Sequence, residues 1–203
     1  MSRPFFHSGT SIVDKAFPIP AFLRMGVSGL DISENFVRFI EFGGTVSNRF
    51  VKKFGERVIP KGAIVGGYIH RLEDVIRVLS DIRKETGITF VNVSLPEEKA
   101  YLFKVEMPKL GGQELRDAVG FRIEENVPVS AKDSIFDFAV LGNDKKKSEH
   151  VDVVVSVIPS KVSETYASVV KAAGFIPVSF EIISQAVSRA VAPKEEKDAS
   201  YIV

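Results

Sequence analysis

The residues with the most chemical content lie in one short run, Asp31-Ile32-Ser33-Glu34-Asn35. An apolar stretch from Met25 to Leu30 brings Asp31 to the end of a strand, and a polar turn follows it. A carboxylate so placed can position a hydrated magnesium ion, while the N–H groups of the turn face phosphate oxygens. The same strand-Asp-turn-strand pattern also makes a plain hairpin with no ligand. Other chemistry is thin. The sequence contains no P-loop, no G-x-S-x-G elbow and no H-E-x-x-H pair. His7, His70 and His150 are scattered, with no second ligand at helical spacing, and read as surface or locally bonded groups. Glu97-Glu98 reads as a solvated turn. Glu114, Asp117, Glu124 and Glu125 read as the outer face of a helix, with nothing apolar around them to tune a general acid or base. Lys145-Lys146-Lys147 reads as a solvated hairpin tip.

The elements that must position Asp31 come next. A second strand runs from Phe36 to Phe42, Gly43-Gly44 makes a tight turn, and a third strand covers Thr45 to Arg57. The Pro and Gly of Pro60-Lys61-Gly62-Ala63-Ile64-Val65-Gly66-Gly67 break the strand pattern and suggest a domain crossing. Leu72, Val75, Ile76, Leu79 and Ile82 recur at helical spacing, and Gly87 stops that helix. Phe90–Leu95 and Ala100–Glu106 read as strands, Gln113–Asn126 as an amphipathic helix, and Ser134–Leu141 as a further strand. Val151–Ile158 is nearly all apolar, the pattern of a central strand covered on both faces. A helix over Lys161–Ala173, a strand over Ile176–Phe180 and a helix over Ile182–Val191 complete a β-α-β unit with parallel strands. The expected division is an arm over residues 1–25, a main unit over 26–59 and 143–203, and an inserted α+β unit over 60–142. Tyr201-Ile202-Val203 reads as the start of a strand, so the chain is expected to be a fragment.

Composition sets the class. The chain has 203 residues, 45% of them hydrophobic, and a formal net charge of +1, which suits a globular protein with a substantial core. A nucleic-acid binder usually carries a basic excess, and this chain does not. It has no cysteine, which excludes disulfides and thiolate metal sites and fits a reducing compartment. No apolar run reaches the roughly 18 residues that span a bilayer. Phe17-Pro18-Ile19-Pro20-Ala21-Phe22-Leu23 is apolar, but its prolines forbid a regular helix, so it reads as an extended arm.

Several stretches together carry a family likeness: Gly29-Leu30-Asp31-Ile32 with Val37-Arg38-Phe39-Ile40-Glu41; Pro60 to Gly67; Val93-Ser94-Leu95-Pro96; Glu114-Leu115 followed by Glu124-Glu125-Asn126-Val127-Pro128; and Lys171-Ala172-Ala173-Gly174-Phe175-Ile176-Pro177-Val178 before Glu181. In this order and spacing the chain resembles the PilM family of type IV pilus assembly proteins, in the actin-like ATPase superfamily, with FtsA as a more distant relative. The resemblance implies an α/β fold: an actin-like (ribonuclease H-like) first domain with a small inserted strand-helix-strand-strand module. It implies a scaffold at the assembly platform of a type IV pilus or type II secretion-like system. Such a protein is cytoplasmic and peripheral to the inner membrane through its partners. The implied partners are the cytoplasmic tail of a PilN-like membrane protein, held in a groove between the first domain and its insert, and other platform proteins. ATP and magnesium are implied for the full-length protein, in a cleft between two halves, and the second Asp-x-Gly turn of that cleft lies beyond Val203.

Asp31, Ser33, Glu34 and Asn35 are then the first phosphate turn, in degenerate form. The family pattern is Asp-x-Gly followed by small polar residues. Ser33 lacks the freedom of glycine, and Glu34 puts a carboxylate where phosphate oxygens would sit. No cofactor, catalytic residue or metal site is therefore expected for this chain alone. The alternatives are half of an actin-like ATPase, or an FtsA-like cell-division protein.

Overall fold

The computed structural model describes residues 26–45, 48–141 and 149–191. The apolar arm, the Lys145–Lys147 run and Tyr201–Val203 lie outside the described residues. The described chain divides into two units, one from residues 26–98 and 164–191 and one from residues 99–163.

The first unit is built on β1 (Val27–Ile32), whose residues alternate between covered and half-covered positions, with Ser28, Leu30 and Ile32 buried. That period of two fixes one face of the strand to the core. β2 (Phe36–Thr45) and β3 (Asn48–Val58) follow as an antiparallel meander. A minimal hairpin, β4 (Ile64–Val65) and β5 (Tyr68–Ile69), leads into helix α1 (Leu72–Thr86). Glu73 and Asp74 open α1 and Arg83 and Lys84 close it, each complementing the helix dipole. Val75, Leu79 and Ile82 form its buried stripe. Gly87 ends it at φ 68°, donating its N–H to the Arg83 carbonyl at 2.9 Å. β6 (Phe90–Leu95) then lies parallel to β1.

The second unit contains β7 (Tyr101–Pro108), α2 (Gly112–Asn126), β8 (Ser134–Val140) and β9 (His150–Pro159). Its strands form an antiparallel sheet in the order β7-β9-β8. Leu115, Val119 and Ile123 of α2 share a core with Met107, Val153, Val155 and Val157. The chain returns to the first unit within α3 (Ser160–Ala172), and finishes with β10 (Ile176–Ile182) and α4 (Ile183–Val191). β10 lies parallel to β6, which completes a five-stranded sheet in the order β10-β6-β1-β2-β3.

Five expectations need correction. Val151–Ile158 was expected in the main unit with residues 26–59, but β9 and β1 lie in different sheets. β9 is a central strand, as its apolar run requires, yet central to the three-stranded sheet. Residues 60–98 belong with the first unit rather than with the insert. The Pro60–Gly67 stretch is no domain crossing but a self-bonded loop. Ala63 donates its N–H to the Pro60 carbonyl at 2.9 Å, and the N–H groups of His70 and Arg71 both meet the Ala63 carbonyl. Gly62, Gly66 and Gly67 supply its positive φ values. The parallel partner of β10 is β6, not β9, because the chain leaves the sheet after β6 and re-enters it through α3. Lastly, Gly43 and Gly44 lie inside β2, so the β2–β3 turn falls later, after Thr45. The chain order β7-α2-β8-β9 is the strand-helix-strand-strand module that the resemblance implied.

Candidate functional site

Asp31 sits on β1 directly between Ser94 of β6 and Arg38 of β2 in the strand register. Both neighbours reach its carboxylate. The Ser94 hydroxyl donates to one oxygen, and an Arg38 guanidinium nitrogen lies 3.7 Å from the other. Arg38 also donates to Glu56 at 2.8 Å and stacks over the Phe36 ring.

The turn after Asp31 closes on itself. The N–H and the hydroxyl of Ser33 both donate to the Phe36 carbonyl at 3.0 Å. The Asn35 carbonyl accepts from the Ile59 N–H at 2.8 Å, tying the tip to the end of β3. The Glu34 carboxylate accepts the N–H of Gly66, between β4 and β5. The next residue, Gly67, offers its carbonyl to the Tyr166 hydroxyl at 3.3 Å. Tyr166 is 1% exposed on α3. Burial first, then the negative charges of Glu98, Glu34 and Asp31, push its phenol well above the usual range. The hydroxyl therefore keeps its proton and serves as a donor.

Asp31, Ser33, Glu34 and Asn35 lie on one turn, and Ser94, Gly66, Glu98 and Tyr166 come near it from other elements. Ser94 could have been found from the strand register, had the pairing of β1 with β6 been known. In the sequence Tyr166 falls within the Lys161–Ala173 helix with nothing local to mark it, and Glu98 reads only as solvation. Chemically, the turn does not suit a phosphate. The Ser33 N–H is already used within the turn, and three carboxylates set a field that repels an anion. Among the described residues, no group of three acidic or histidine side chains could hold a metal ion. No helix among them is long and apolar enough to cross a membrane.

The model of the family described as type IV pilus assembly protein PilM matches residues 29–197, from the strand that carries Asp31 to beyond α4. The chain belongs to the PilM family. Its fold is similar to that of a PilM–PilN type IV pilus biogenesis complex, with a TM-score of 0.74 and 20% identity over 82% of this chain and 50% of that one. It is also similar to the cytoplasmic domain of EpsL, an inner membrane component of the type II secretion system of Vibrio cholerae. There the TM-score is 0.52 and the identity 16%, over 77% of this chain and 57% of that one. The chain thus spans about half the length of these relatives. The PilM fold accounts for the architecture described above: an α/β domain whose chain is interrupted after β6 by the strand-helix-strand-strand module.

Proposed function

We propose that this chain is the PilM-type scaffold of a type IV pilus or type II secretion-like assembly platform, and that its partner is the cytoplasmic tail of a PilN-like membrane protein. The family match over residues 29–197 carries the reading, and the fold shared with a PilM solved together with PilN supports the partner. On this reading the protein works in the cytoplasm, peripheral to the inner membrane through its partners. The test is a fluorescence titration with the cytoplasmic tail of the neighbouring membrane protein, using residues 1–203 and a form lacking residues 1–24. Saturable binding supports the proposal. No binding by either form overturns it, and binding only after the deletion identifies the arm as an internal competitor.

We also propose that Asp31, Ser33, Glu34 and Asn35 are a phosphate turn that has lost its ligand. The self-bonded Ser33 and the Glu34 carboxylate held by Gly66 support this. ATP and magnesium then belong to a full-length protein. Calorimetry of this chain with Mg-ATP should show no saturable heat. A micromolar dissociation constant, about −8 kcal/mol, would overturn the reading.

A further inference from the structure

The longest strand of the five-stranded sheet is also its edge. Among the described residues, β3 pairs with β2 on one side and with no strand on the other. An unpaired edge presents a row of N–H and carbonyl groups, and proteins usually cover, shorten or charge such an edge. This one is 11 residues long. Phe54 and Val58 share one face of the strand, Val51 joins them there past the bulge at Lys52, and the three are 77%, 68% and 49% exposed. Exposed aromatic and branched side chains so placed suit cross-strand pairing with a further strand.

The charge of the edge selects its occupant. Within β3, Arg49, Lys52, Lys53 and Arg57 face a lone acidic residue, Glu56. Two carboxylates from neighbouring elements meet three of these cations: Glu41 pairs with Lys52 and Lys53, and Glu85 pairs with Arg57. A positive surplus remains along the strand. Beside it runs an open groove of about 410 Å³, lined by Phe39, Lys52, Lys53, Phe54, Arg57 and Thr86 and by the Glu85 carboxylate that pairs with Arg57. The groove mixes aromatic rings with ammonium and guanidinium groups. A second copy of this chain would bring two cationic edges together, which like charge disfavours. The arm of this chain carries Arg3, Lys15 and Arg24 against Asp14, so it has the wrong sign as well.

We propose that β3 is a strand-addition site for an extended acidic segment of another protein. The segment alternates carboxylates with apolar side chains. Its backbone pairs with the free side of β3, its apolar residues pack on Val51, Phe54 and Val58, and its carboxylates meet the basic surplus. This surface is separate from the turn at Asp31, and the proposal stands or falls independently of the PilN-like tail.

The probe is a fluorescein-labelled nonapeptide alternating glutamate with valine and phenylalanine. Its controls are a version with lysine for glutamate and a version with two central prolines. Binding to residues 1–203 is read by anisotropy across a salt series, with amide hydrogen exchange locating the site. The acidic peptide should bind and slow exchange within residues 48–58, and should weaken as salt rises. The lysine version and the proline version should each bind at least tenfold more weakly. An Arg49→Glu/Phe54→Ser variant, altered only at exposed side chains, should lose tenfold or more while keeping its unfolding midpoint. The proposal is overturned if acidic and basic peptides bind equally, if protection falls outside β3, or if the acidic peptide fails to bind at millimolar concentration. It is also overturned if exchange in β3 slows on raising protein concentration without peptide, because the occupant is then a second copy.

Discussion

The tip of the β1–β2 hairpin and the outer edge of β3 belong to one sheet, yet they treat their polar groups in opposite ways. At the tip, the turn bonds to itself, to Ile59 and to Gly66, and Tyr166 closes the arrangement from beneath. At the edge, three large apolar side chains face water beside a basic surplus. A site that satisfies its own donors has little left for a ligand. A site that leaves them outward needs a partner or a guard. The difference places binding capacity at the edge, although the motif that drew attention in the sequence was the tip.

The comparison is broken most directly by a pair of truncations in the same unit. Leu79 of α1 is fully buried and Phe54 of β3 is 77% exposed. Leu79→Ala should cost about 2–5 kcal/mol through lost burial and the cavity left behind. Phe54→Ala should stay within about 0.5 kcal/mol. Urea unfolding measures both. Comparable losses would mean that Phe54 is part of the fold's own core, and the edge would no longer be an open surface.

The next effect tests how the edge strand is held. Gly44 has φ 87°, and a Cβ there would come within 2.0 Å of the Asn48 carbonyl oxygen. Gly44→Ala should therefore lower stability by about 1–3 kcal/mol, the scale of strained backbone. Gly112 opens α2 with open space around it. Gly112→Ala should be neutral or stabilising by up to about 1 kcal/mol. If thermal melts show the two variants shifting alike, the β2–β3 turn does not depend on a left-handed glycine.

A smaller effect belongs to the tip. Tyr166→Phe removes the bond to the Gly67 carbonyl and should cost about 1 kcal/mol at neutral pH. Its pH dependence is more telling. The folded phenol holds its proton above the ordinary value near 10, so the folded state binds more protons than the unfolded state once that pH is passed. The stabilising contribution is fully present below about pH 10 and declines as pH rises beyond it. Tyr166→Phe should flatten that alkaline slope. An unchanged slope would remove Tyr166 from the account of the closed tip.

Much of the first unit was legible because its signals are local. The alternation of Val27–Ile32, the heptad-like spacing of α1 and its Gly87 stop all act within a few residues. The fate of Val151–Ile158 was not legible, since an apolar run shows that a strand is central without naming its sheet. The Pro60–Gly67 stretch misled for a related reason: the same residues make a domain crossing or a tight loop, and only the bonds to Ala63 decide. In the site, Asp31 announced itself by its position at a strand end. Ser94 and Tyr166 reach the turn from sequence positions 63 and 135 residues away, which no local pattern records. The β3 edge escaped notice because its exposure follows from strand order, not from its own composition.

The smallest effect concerns the one acidic side chain that is buried beside the edge. Glu41 of β2 lies 2.6 Å from the Lys52 ammonium and 3.3 Å from that of Lys53. The hydrogen bond from Lys52 holds its carboxyl below the ordinary value of 4.5, burial opposes that shift, and Lys53 adds to it. A depressed folded value means that the unfolded state binds more protons as acid is added. The contribution is therefore present above about pH 4.5 and is lost as pH falls through the lower folded value. Both lysines are partly in water, so the change should be smaller than that of Tyr166→Phe. Glu41→Gln should lower stability modestly at pH 7, where the contribution is present, and flatten the acid limb of a stability-versus-pH curve so that the two chains converge as pH falls below about 4.5, read by urea midpoints. The same substitution strengthens the positive surplus along β3 by removing one of the two neighbouring carboxylates that pair with its cations. It should tighten binding of the acidic nonapeptide and leave its proline version unaffected. An acid limb identical to that of the parent chain would show that Glu41 is already neutralised by other means. Unchanged peptide affinity would show that the charge of the edge does not select its partner.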